Sequence, residues 1–252
     1  MPHEERITFS NNRGQKLVGI LHQPDGSNAS SAVILCHGME SNKESEKLVA
    51  MSRRLADQGM LALRFDFACS GESDGKFEDI TYSGEAEDLQ AAFDFMMRRR
   101  PKKVGVLGSS MGGTVALLFA AQEKKVEALV TIAAPLHPER FTERLLTPAA
   151  ARLWRETGFI LYHDKRLNVT LLDDLEKLDV AGAARKVSCP ALVIHGDCDD
   201  TVSVEEGHEL YAALQGPKKL GILRDADHRL SQPAHLQKAM DESIDWFTQY
   251  LQ

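Results

Sequence analysis

The chain has 252 residues, 43% of them hydrophobic, enough to build one large core, so a single unit of mixed helix and strand is expected. Its net charge of −7, with no basic stripe to neutralise phosphates, excludes nucleic acid as the main partner. No apolar run approaches the roughly 18 residues that span a membrane, and the acidic start from Met1 to Arg6 lacks the apolar centre of a secretory signal.

Strand and helix signals alternate along the chain. Arg6–Phe9 and Leu17–His22 are expected to pair as a hairpin across the turn residues Asn11 to Gly14. A buried-type strand at Ala32–Cys36, a helix near Glu46–Gln58 and a strand at Met60–Asp66 follow. The helix predicted for Gly84–Arg99 sets Ala86, Leu89, Ala92, Phe93 and Met96 at helical spacing, and its basic end, Arg98 to Arg100, suits the helix dipole. Strand Val104–Leu107, helix Met111–Ala121 and strand Ala128–Ala133 come next. After an insert, strand Ala191–His195, helix Val204–Leu214, strand Lys219–Leu223 and a last helix, Pro233–Leu251, complete the series. A hairpin leading into repeated βα units predicts a mostly parallel, twisted sheet with helices on both faces, and active residues at the carboxyl ends of its strands.

The segment between Pro135 and Pro190 is too long for a βα loop. Helical patterns at Arg140–Trp154 and Leu171–Ala184 flank a strand-like Gly158–His163. Residues 135–186 are therefore expected to form a cap or lid over a core of residues 1–134 and 187–252, entering the chain before the penultimate strand. Trp154, Phe159 and Tyr162 suggest an aromatic wall there. Cys36, Cys69, Cys189 and Cys198 fall in no paired spacing, and three of them lie at predicted strand ends where a free thiol behaves as a small apolar side chain. A reducing, cytoplasmic setting is expected.

The chemistry is concentrated around Gly108-Ser-Ser110-Met-Gly112-Gly113. A strand meets a glycine turn with a serine at its apex, and an apolar helix begins at once, which lifts the hydroxyl clear of the sheet. A second Gly-x-Ser-x-Gly run, Gly71 to Gly75, has Ser73 between Glu72 and Asp74 and no helix after it. Those two charges oppose an oxyanion, so Ser73 is read as a turn builder and Ser110 as the nucleophile.

A serine hydroxyl needs a base, and the base needs a carboxylate to orient it. The last predicted strand runs into Asp227-His228, which makes His228 the base. The strand before it runs into His195-Gly-Asp-Cys-Asp-Asp200, so the acid is one of Asp197, Asp199 and Asp200. A metal set of His195, Asp197 and Cys198 has no standard ligand spacing. Surface placement is the default for His3, His22, His137, His163, His208 and His235, with substrate contact the alternative for His137 and His163, which lie in the insert.

These motifs resemble the α/β-hydrolase superfamily over nearly the whole chain. Gly108-x-Ser110-x-Gly112 matches its nucleophile elbow. His195-Gly196-x-x-Asp199-x-x-Val202 is similar to its acid loop, which implies Asp199 as the catalytic acid and Asp197 and Asp200 as turn builders. Cys36-His37-Gly38-Met39 resembles its oxyanion loop, which implies the backbone N–H groups of Met39 and Met111 as the oxyanion hole and a structural His37.

Within the superfamily, the length, the single insert and the passage Arg64-Phe-Asp66-Phe with Gly71 to Gly75 resemble small bacterial esterases of the cinnamoyl and feruloyl type. One departure is Cys69, where that family usually carries glycine. The resemblance implies a serine carboxylesterase working through an acyl-enzyme on a small-molecule ester, with no metal or organic cofactor. A thioesterase, amidase or small peptidase on the same triad, and a non-catalytic binder that has kept the fold, are the competing readings. A homodimer through the last helix or the insert is compatible with all of them.

Overall fold

The computed structural model describes residues 3–25, 29–140 and 148–252. β1 (His3–Ser10) and β2 (Lys16–Gln23) form the expected antiparallel hairpin, closed by Asn11, whose side chain accepts from the amides of Arg13 and Gln15. In chain order there follow β3 (Ser31–Cys36), α1 (Glu46–Asp57), β4 (Leu61–Asp66), α2 (Tyr82–Met97), β5 (Lys103–Ser109), α3 (Met111–Gln122) and β6 (Val126–Ile132). The insert contributes α4 (Pro148–Thr157), β7 (Phe159–Tyr162), β8 (Lys165–Asn168), α5 (Val169–Leu175) and α6 (Val180–Ala184). The chain then returns to the core with β9 (Ala191–Gly196), α7 (Val204–Ala213), β10 (Lys218–Leu223) and α8 (Pro233–Leu251).

The main sheet has eight strands in the order β1-β2-β4-β3-β5-β6-β9-β10. β2 runs antiparallel to β1 and β4, and every other pairing is parallel. The sheet and its helices are those of an α/β-hydrolase fold. Side-chain alternation along β3 shows why both faces need helices: Ala32, Ile34 and Cys36 join the apolar cluster that includes α2 and α3, whereas Val33 and Leu35 join the one that includes α1 and α8. The order reverses around β3, which places its carboxyl end and that of β5 beside the crevice where such sheets bind ligands.

The insert departs from expectation in two places. The strand-like Gly158–His163 acquires a partner, β8, and the two make a separate hairpin with Phe159 opposite Asn168. The single helix expected over Leu171–Ala184 is two, because Asp179 accepts from Gly182 N–H at 2.7 Å and starts α6 afresh. The predicted helix Arg140–Trp154 falls partly outside the described residues, and α4 starts at Pro148, a residue suited to a helix's first turn. The aromatic wall is also corrected. Trp154 is fully buried with Nε1–H donating to Leu167 O, and the Phe159 ring lies under the Arg166 guanidinium.

His22 is the other correction, since it is buried rather than exposed. β2 is an interior strand, so both its faces are covered. Arg64 on β4 donates through Nε to His22 Nε2 at 3.0 Å. Burial, and then the charge of Arg64, push the His22 imidazole from about 6.5 down to about 4. The folded protein thus keeps His22 neutral where the unfolded chain takes up a proton, and this contribution to stability is lost as pH falls from about 6.5 toward 4. Urea unfolding at pH 7 and pH 4.5 is expected to show wild type losing about 2 kcal/mol more than the His22→Gln variant.

Candidate active site

β5 ends at Ser109 and α3 begins at Met111, so Ser110 alone makes the turn. It does so at φ +55° and ψ −126°, a backbone state that costs a residue with a side chain on the order of 1–3 kcal/mol. The surroundings leave it no alternative. A Cβ on Gly108 would overlap the Gly112 carbonyl, and one on Gly112 would overlap the carbonyl of His37. The Ser110 N–H donates to Ile132 O at 2.8 Å, which ties the turn to β6.

Two loops bring the sequence-predicted partners to this serine. His228, in the loop after β10, stands with Nε2 at 3.0 Å from Ser110 Oγ and Nδ1 at 2.8 Å from Asp199 Oδ2. Ser110, His228 and Asp199 therefore form one hydrogen-bonded chain. The loops are fastened to each other: Asp197 Oδ1 accepts from Asp225 N–H, and the Cys198 N–H donates to Ala226 O. Asp197 and Asp200 act locally, Asp200 accepting from the Thr201 hydroxyl, and neither bonds His228.

The sequence offers His195 only as part of the acid loop and of a metal set without standard spacing. The structure places it, fully buried, beneath the acid, with Nε2 at 3.2 Å from Asp199 Oδ2 and 3.0 Å from Val202 O. The side chain thus turns into the protein, and the ligand set of His195, Asp197 and Cys198 is not assembled. Burial alone would raise the Asp199 carboxyl. The hydrogen bonds from His195 and His228, the His228 charge and the Val202 amide outweigh it and hold the carboxyl well below the usual carboxylate range.

The loop after β3 lies against the nucleophile from the other side. A Cβ on Gly38 would stand 3.2 Å from Ser110 Cβ, which places the Gly38–Met39 backbone against the serine. His37 is structural, as expected: its Nε2 accepts from Phe67 N–H at 3.1 Å and its Nδ1 bonds Gly38 O at 2.8 Å. Burial lowers its imidazole below the ordinary value. Further along the same loop, Lys43 is buried and donates from both N–H and Nζ to Asp66 at 2.7 Å, while Arg64 donates to Lys43 O. The Met111 N–H is the first amide of α3 and has no acceptor within its own helix.

Ser73 behaves as the turn builder expected, donating to Asp66 O and accepting from Val18 N–H. Cys69 adopts φ +74°, the left-handed region in which glycine is at ease, and it does not line the cleft over Ser110. That cleft, about 700 Å³ in volume, is walled by Met39, Tyr82, Met111, His137, Tyr162 and His163 together with the serine and its histidine. His137 and His163 line it, the alternative for them rather than the default, and of Trp154, Phe159 and Tyr162 only Tyr162 does. His163 bonds Glu40 at 2.9 Å, which pins the β7–β8 hairpin to the loop after β3. Glu206 on α7 accepts from the Leu136 and His137 amides and fixes the first residues of the insert.

Residues 27–181 match the family model described as serine aminopeptidase, S33. The chain belongs to this family. It is also similar to a solved structure of Est1E from Butyrivibrio proteoclasticus with ferulic acid bound, at a TM-score of 0.86 and 22% identity over 97% of this chain and 98% of that one. A second is the esterase domain of a Rhodothermus marinus protein, with a TM-score of 0.76 and 25% identity over 99% of this chain and 100% of that one. Among curated sequences, the 2,6-dihydropseudooxynicotine hydrolase of Paenarthrobacter nicotinovorans is 29% identical over 70% of this chain and 46% of its own length. This S33 member is a hydrolase of the α/β class. No helix among its described residues is long and apolar enough to cross a membrane.

Four variants test the site. Gly108→Ala forces a side chain into the Gly112 carbonyl and is expected to cost about 3 kcal/mol or more, read as a fall in thermal midpoint. Asp199→Asn is expected to lower kcat by roughly 10⁴, while Asp197→Asn and Asp200→Asn stay within about tenfold of wild type; an active Asp199→Asn enzyme overturns the assignment.

Proposed function

We propose that this protein is a serine carboxylic ester hydrolase that works through an acyl-enzyme. The observation that carries the reading is the unbroken hydrogen-bonded chain from Ser110 Oγ through His228 to a buried, ionised Asp199. His228 Nε2 takes the hydroxyl proton as Ser110 attacks the ester carbonyl, and Asp199 holds the imidazolium that forms. Met39 and Met111 N–H groups receive the oxyanion, a pair of donors each worth about 10² to 10³ in rate. The imidazolium then protonates the departing alcohol. Water repeats the cycle on the acyl-enzyme and releases the carboxylic acid. Apart from the ester and water, each step uses groups supplied by the chain.

The cleft supports a compact acyl or alcohol group rather than a polymer. Tyr162 and Tyr82 line it, and the likeness to a structure holding ferulic acid makes aromatic acyl esters one class to try. The family description favours a second reading, peptide or amide hydrolysis by the same three residues.

A fluorophosphonate probe with peptide mapping tests the shared chemistry. Label is expected on the Ser110 peptide of wild type and none on Ser110→Ala, whose turnover falls by roughly 10⁶. A panel of acetyl, butyryl and feruloyl esters, an acyl thioester and amino-acid 4-nitroanilides then separates the readings. Turnover of anilides alone would overturn the ester assignment, and an unlabelled, folded wild type would point to a binding protein.

A further inference from the structure

Lys47 is the cleft residue for which the proposed ester chemistry has no use. It stands in the first turn of α1, half-buried, and its ammonium donates to Ser109 Oγ at 3.0 Å, one residue before the nucleophile. Both side chains line the cleft. Among the described residues, a neutral hydroxyl is the hydrogen-bond partner of this ammonium, and no carboxylate lies within 4.0 Å of it. The acids close enough to influence it are engaged elsewhere. Asp199 is taken up by His228 and His195, and Asp227 accepts from Ser231 N–H at 2.8 Å. Burial pushes the Lys47 ammonium down to about 8, and Asp227 and Asp199 only partly oppose that.

The rest of the cleft has the same bias. Arg229, next to His228, is exposed at the wall and pairs with no carboxylate among the described residues. The acids that line it are mostly committed: Glu40 to His163 and Lys165, and Glu206 to two backbone amides. Glu46 remains exposed at the rim. A partly dehydrated ammonium without a counter-ion is unfavourable until an anion arrives, and the arrival of one is correspondingly favourable.

We propose that the cleft selects substrates carrying a carboxylate close to the scissile ester, with Lys47 as the direct partner of that carboxylate and Arg229 drawing it in. The inference rests on the ester-hydrolase reading and names the substrate class of the same site. Hydrolysis of such a molecule adds one water across the ester and releases an acid and an alcohol, one of which keeps the second carboxylate.

Matched substrates in which a carboxylate replaces a methyl group test this. 4-Nitrophenyl hemisuccinate against 4-nitrophenyl butyrate places the charge on the acyl side. O-Butyryl lactate against isopropyl butyrate places it on the alcohol side. Wild type is expected to prefer the charged member of one pair by about 10-fold in kcat/KM, the worth of one charge-assisted hydrogen bond. Lys47→Met is expected to bring that ratio within about twofold of unity and Lys47→Arg to keep most of it, each variant being checked for an unchanged thermal midpoint. The ratio is taken on a single enzyme, so general damage to the triad does not mimic the effect. A ratio of one or less in both pairs, or a Lys47→Met variant that slows both members equally, overturns the proposal. Fluorophosphonate labelling of the same samples separates the two levels. Labelling with ester turnover but no charge preference removes only the carboxylate site, whereas no labelling and no turnover removes the ester reading with it.

Discussion

The structure depends on a backbone contact too close for any side chain. Where β5 gives way to α3, Gly108 and Gly112 pass each other at a separation that a single methyl group would prevent, and Gly112 in turn lies against the carbonyl of His37. Three segments therefore meet as bare backbone: the end of β3, the end of β5 and the start of α3. That meeting puts Ser110 at a positive φ, at the N-terminal end of a helix, beside the loop after β3. Packing energy from the almost wholly buried α3 holds the strain in place, since relaxing the turn would lift that helix off the sheet.

Around that contact the fold divides the task of orientation among buried bonds. His195 braces Asp199 from below, and Asp66 and Arg64 at the end of β4 grip Lys43 in the loop that faces the serine. Neither brace touches the reacting groups directly. Each converts a loop, ordinarily the mobile part of such a fold, into a continuation of the sheet. Both loops are thus held by neighbours whose own side chains are buried.

Much of this was legible in the sequence because it is local. The expected core strands and helices are present to within three residues at each end, and Ser110, His228 and Asp199 come together as their motifs imply. What was not legible is tertiary. β8 carries Lys165 and Arg166 in four residues and becomes a strand only because β7 lies beside it. His22 follows an alternation that fits an edge strand as well as an interior one, and the neighbouring Arg64 decides the matter. Asp179 is a cap signal that the apolar spacing continuing across it masks in the sequence. Lys47 sits in an amphipathic helix like any surface lysine until the turn of β5 is placed above it.

The tie between Glu40 and the β7–β8 hairpin has a bearing on how the cleft meets its surroundings. Its partners, His163 and Lys165, are more than 40% exposed, and pairs of that kind contribute on the order of 0–1 kcal/mol and weaken as ions gather around them. The bonds among Ser110, His228 and Asp199 lie far deeper. Dissolved salt therefore acts unevenly within one cavity, weakening the tie at Glu40 more than the bonds beneath it.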